Sequence, residues 1–179
     1  MLPLDEYVVV EADSTIFDAL VALDDAQNMV SEGRAPHRAV LVRGPDGSIL
    51  GKVGHQAFLA GLEPQYCDIG EVSALARAGL SKEFLKTIMQ RMPLWKQGFD
   101  HYVRVSMNRR VFDIMHPVAD ESADIDENIR ETIHKLISYN ALSLVVTEHG
   151  KPVGIVRLAD IFPVVTKLIR RRALKLQAE

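Results

Sequence analysis

The chain has 179 residues, 47% apolar and 25% charged, with a formal charge of −3 and one cysteine, Cys67. That composition excludes a disordered chain, and a lone cysteine excludes a disulfide scaffold. No apolar run approaches the roughly 18 residues that span a bilayer, and Met1–Glu6 lacks the basic and apolar regions of a secretory signal, so a cytoplasmic protein without membrane contact is expected.

Tyr7–Val10 reads as a short extended piece. Ile16, Ala19, Leu20 and Leu23 then recur at helical spacing and share one face. Ala39–Val42 is a short, apolar, β-branched run, which predicts a buried strand. The turn after it ends at Gly47, where a tight hairpin needs a residue tolerant of positive φ. Ile49–Val53 is the returning strand. Its Gly51 marks a bulge or a close backbone approach. A helix starts at His55–Ala60.

Residues 64–110 are long for a loop inside a compact domain, so helices that pack on the rest are expected there. Ser81 suits the N-cap of a helix through Phe84, Leu85, Ile88 and Met89, stopped by Pro93. Leu94–Val105 can add another turn or two. Beyond them, Pro117–Ala119 reads as extended. Asp124 with Glu127 resembles a capping box, opening a helix with Ile125, Ile129, Ile133, Leu136 and Ile137 on one face. Strands are predicted at Leu142–Val146 and Pro152–Val156 around Gly150. The last helix begins at Leu158 and ends in a basic stretch, Lys167–Lys175.

Charge is unevenly placed. Residues 1–63 carry 4 basic and 10 acidic side chains, residues 64–110 carry 8 and 4, and residues 111–179 carry 9 and 10. The basic middle is spread at helical spacing, which suits a solvated helix face better than a nucleic-acid patch.

The chain repeats itself. With an offset of 103 residues and no gap, Leu41 and Val42 match Leu144 and Val145, Gly47 matches Gly150, Gly51 matches Gly154, and Val53 matches Val156. The order strand, helix, strand, strand, helix therefore occurs twice. This pattern resembles a tandem pair of cystathionine-β-synthase (CBS) domains, the Bateman module. Its carriers are Asp113–Val118, the hairpin around Gly150, and Gly154–Asp160, which is similar to the family's Gly–apolar–apolar–Thr/Ser–x–x–Asp signature with Arg157 at the hydroxyl position. The resemblance covers about residues 4–62 and 111–168. It implies an α+β fold of two β-α-β-β-α repeats forming a pseudo-symmetric pair. Residues 1–63 are then the first repeat, 64–110 a helical linker or insertion, and 111–179 the second repeat with its C-terminal helix.

The resemblance also implies a ligand: an adenine nucleotide or adenosyl compound, with AMP, ADP, ATP and S-adenosylmethionine as candidates. Asp160, in the first turn of a helix, would accept bonds from the ribose hydroxyls. Arg157 and Arg38 would bind phosphate, beside a helix N-terminus that favours anions. Val118, Ala141, Leu142, Ser143 and Gly154 would form the adenine pocket. A second site would use His37, Gly54 and His55, although Ala57 stands where the ribose carboxylate should be. Arg157 cannot cap its helix as Ser or Thr does, and it could equally fold across the cleft and plug it. The family further implies a homodimer signalling to an effector protein in trans.

Other signals fail. Gly47-Ser-Ile-Leu-Gly51-Lys52 is one residue short of a P-loop and joins strand to strand. The six histidines have no metal-ligand spacing, and no nucleophile elbow or recognisable Ser, His and Asp set is present. The expectation is a non-enzymatic sensor with no cofactor, no metal and no nucleic-acid partner. The alternative is a scaffold of the same fold, for oligomerisation or partner docking, that has lost nucleotide binding.

Overall fold

A computed structural model describes residues 1–28, 37–63, 65, 81, 83, 87, 90 and 95–177. The expectations for Cys67 and for a helix from Ser81 through Phe84, Leu85, Ile88 and Met89 to Pro93 fall largely outside the described residues. In chain order the elements are β1 (Leu2–Pro3), β2 (Val9–Glu11), α1 (Ile16–Asn28), β3 (Ala39–Arg43), β4 (Ile49–Gly54), α2 (His55–Leu62), α3 (Phe99–Asn108), β5 (His116–Pro117), β6 (Ser122–Asp124), α4 (Ile129–Ser138), β7 (Ser143–Glu148), β8 (Lys151–Arg157) and α5 (Leu158–Leu176).

Two four-stranded sheets result, in the orders β2-β3-β4-β5 and β1-β8-β7-β6. Each contains a hairpin, β3–β4 or β7–β8, turned at Gly47 (φ 81°) or Gly150 (φ 77°). A short parallel strand, β2 or β6, lies on one side. The other edge is donated by the opposite repeat. Pro3 pairs with Gly154 and Pro117 with Gly51, so the two halves exchange edge strands symmetrically. This exchange accounts for Gly51 and Gly154. A Cβ on Gly154 would lie 2.7 Å from the Leu2 carbonyl oxygen, and one on Gly51 would press into that of His116.

The strand pattern sorts the core by period two. Val40 and Val42 turn to α1 and α2, joining Ile16, Ala19, Leu23 and Phe58. Ala39 and Leu41 face the other repeat, meeting Tyr7, Val145 and Ile155 in a core between the sheets. Ala123, Leu136, Leu144 and Ile161 form the second repeat's own core. Helix α3, from the segment between the repeats, packs on α1 and α2.

Helix α1 is opened by Thr15 and Asp18: the Asp18 amide donates to Thr15 Oγ1 at 3.1 Å, and the Thr15 amide donates to Asp18 Oδ2 at 3.1 Å. This reciprocal pair is a capping box. Three expectations for the second repeat need correction. Its first strand is Ser122–Asp124, because His116–Pro117 is taken as the edge of the first sheet. Its helix is capped by Asn128, which accepts from the Arg130 and Glu131 amides at 3.0 and 3.2 Å, whereas Asp124 and Glu127 close the turn before it. With the start moved to Ile129, the inward face carries Thr132, Ile133 and Leu136, and Ile137 points outward at 72% exposure.

Candidate functional site

A cavity of about 580 Å³ opens between the repeats. That is within the range of small-molecule sites, about 300–1,000 Å³. The N-termini of both post-hairpin helices border it: Gly54–Ala57 at α2, and Arg157–Ala159 at α5. Neither helix has a side-chain cap, so both present backbone donors and a positive dipole end. A third wall, Tyr139–Ser143, follows α4. Asn140, at φ 52°, ends that helix in the left-handed region, which Asn tolerates better than most residues. The reversal aims Ala141–Ser143 at the opening, and the Leu142 carbonyl accepts from the Leu158 amide at 2.9 Å, tying this wall to α5.

Of the residues singled out in the sequence, Arg38, Gly54, His55, Ala141, Leu142, Ser143 and Arg157 line the cavity. Leu142 lies before β7 and is 47% exposed. His37, Val118, Gly154 and Asp160 are not among the lining residues. Val118 packs in the core between the sheets, and what approaches Gly154 is the Leu2 backbone and the Met1 side chain. The His37 ring stands edge-on to Tyr7 at 4.7 Å, and its carbonyl accepts from Gln27 at 2.7 Å.

Asp160 and Arg157 form a two-pronged pair. Arg157 Nε donates to one carboxylate oxygen and Nη2 to the other, both at 2.7 Å. These charge-assisted bonds hold the guanidinium above its ordinary pKa range, against a burial that lowers it. The carboxylate keeps lone pairs, since two oxygens offer about four acceptor positions. Tyr7 lies within the field of this pair. Burial pushes its phenol up to about 12, with Arg157 opposing the shift and Asp160 reinforcing it. The hydroxyl is therefore a neutral donor at physiological pH.

The sequence did not single out a second polar group on the cavity wall. Lys52, only 6% exposed, sits on β4 with Nζ 2.7 Å from Glu121 Oε2. His116 Nδ1 is 3.3 Å from Glu121 Oε1. Tyr139 and Phe162 also line the opening. No group of His, Cys, Asp and Glu suited to a metal occurs among the described residues, and no described helix is long and apolar enough to cross a membrane.

Two β-α-β-β-α units that swap edge strands and enclose a cavity between the helices after their hairpins define a duplicated α+β module. Residues 107–167 match the family model for the CBS domain, and the chain as a whole has the fold of a tandem CBS pair. It is similar to the CBS-pair protein CBSX2 from Arabidopsis thaliana, with 16% identity, a TM-score of 0.57, and coverage of 95% of this chain and 93% of that one. The structure of CBSX2 in complex with AMP gives 18% identity, a TM-score of 0.54, and coverage of 94% and 93%. The cytosolic domain of the Mg2+ channel MgtE in complex with ATP gives 18% and 0.52, and this chain, 89% of it aligned, spans 45% of that one. No curated protein matches in sequence.

Proposed function

We propose that this chain is a non-enzymatic regulatory module that binds an adenine nucleotide between its repeats and reports occupancy by a change in the geometry of the pair or of a homodimer. The observation that carries this reading is the shared cavity, bordered by two uncapped helix N-termini and by Arg157, with Asp160 locked to it. AMP-bound and ATP-bound neighbours of the same fold support it.

In this reading adenine lies against Ala141, Leu142 and Ser143. Asp160, oriented by Arg157, accepts from the ribose hydroxyls through its remaining lone pairs. The phosphate meets Arg157 and Arg38, and Gly54 and His55 flank a second site, with His37 behind its wall and Ala57 in place of a ribose carboxylate. An effector protein in trans reads the change. The Arg157–Asp160 pairing is also what a docking scaffold without nucleotide would show, because the two charges neutralise each other.

A thermal-shift panel of AMP, ADP, ATP and S-adenosylmethionine separates the two readings. A ligand at a hundredfold excess over Kd stabilises by about 2.7 kcal/mol, so a rise of about 5–10 °C is expected for a chain of this size. A folded protein that shifts with none of the four is the scaffold.

A further inference from the structure

The two repeats place different chemistry at equivalent positions of the exchanged edge strands. In the second sheet Leu2 pairs with Ile155, an apolar couple facing the core between the sheets. In the first sheet the equivalent couple is His116 with Lys52. Ile155 is fully buried and Lys52 nearly so. The sheet position thus accepts an apolar side chain, and placing an ammonium there carries a desolvation cost. That cost is offset by Glu121, which binds Lys52 with one oxygen and His116 with the other. Lys52 belongs to the first repeat and Glu121 to the second, and all three side chains line the cavity.

An ammonium has three donors, and an ion pair with one carboxylate oxygen uses one of them. We infer that Lys52 is a further anion-selecting residue of the cavity beside Arg157 and Arg38, held in place by Glu121 and ready to donate to the phosphate of an entering ligand. The inference rests on the nucleotide reading above and assigns to Lys52 a share, beyond that of Arg157 and Arg38, of the preference for phosphate-bearing over phosphate-free ligands. Glu121 sets the strength of that preference, because its charge repels the phosphate that Lys52 attracts.

The test is calorimetric titration of the full chain and of Lys52→Ile and Glu121→Gln with AMP and with adenosine, after thermal melts establish that each variant folds. Lys52→Ile installs the residue found at the equivalent position of the other repeat. It should weaken AMP about tenfold and move adenosine less than about twofold. Glu121→Gln should tighten AMP about threefold and leave adenosine unchanged. If Glu121→Gln does not fold, Lys52→Ile decides alone. Unchanged AMP affinity in Lys52→Ile, or equal losses for AMP and adenosine, overturns the role of Lys52. Wild-type protein that binds neither compound overturns the nucleotide reading itself.

Discussion

Replacing Gly51 with alanine is expected to lower the melting temperature by about 10 °C. The residue sits in β4 beside the register shift of the β3–β4 hairpin and has no positive φ, so the effect comes from space and not from φ. A Cβ there would enter the van der Waals radius of the His116 carbonyl oxygen and stand 3.0 Å from the Met115 sulfur. The carbonyl belongs to β5, whose pairing with Gly51 and Lys52 joins the second repeat to the first sheet. Relief therefore requires the exchanged strand to move away. Overpacking of this kind costs about 3 kcal/mol, and each kcal/mol shifts a chain of this length by about 2–4 °C. Gly154→Ala is expected to cost less. Its nearest backbone neighbour, the Leu2 carbonyl oxygen, is at 2.7 Å, and the other close atoms are those of the flexible Met1 side chain. Thermal melts of the two variants check the order. A Gly51→Ala protein as stable as wild type would mean that the strand exchange does not bind the repeats together.

Asp160→Ala is expected to remove the AMP-induced thermal shift and to lower the melting temperature of the unliganded protein as well. The substitution deletes two charge-assisted bonds and leaves Arg157, 9% exposed, without its carboxylate. Losing two charge-assisted bonds to a mostly buried guanidinium costs about 2 kcal/mol, or about 4–8 °C. Asp160→Asn preserves shape and one acceptor, so it should recover part of the stability while still weakening ribose-bearing ligands. Melts with and without AMP separate the two effects. A variant that loses stability but keeps the full AMP shift would remove Asp160 from the site.

The repeat was legible because its determinants are local. The apolar, β-branched runs at Ala39–Val42 and Leu142–Val146, the positive-φ turns at Gly47 and Gly150, and the glycines of β4 and β8 lie within twenty residues of each other in each copy. The edge-strand exchange was not legible. Leu2–Pro3 and His116–Pro117 are two residues each, too short to show periodicity, and their partners are more than sixty residues away. The start of α4 is ambiguous in the sequence because Asp124 and Asn128 both offer cap chemistry, and the bonds that resemble a capping box at Asp124 close a turn instead. Part of the site was readable from Arg38, Arg157 and the hairpin-flanking residues. Lys52, His116 and Glu121 were not, since a Lys after Gly51 reads as a surface residue until β5 covers it. The offset of 103 does hold one usable signal: it aligns Lys52 with Ile155, a charge against an apolar residue within a matched strand.

The most direct test of a ligand site shared by both repeats is amide hydrogen exchange with and without saturating AMP. A site shared by both repeats slows exchange in the cavity-lining segments around 54–57 in the first repeat and around 139–143 and 157–159 in the second, with the outer faces of the sheets unchanged. Protection confined to one repeat, or none in any of these segments, would contradict it.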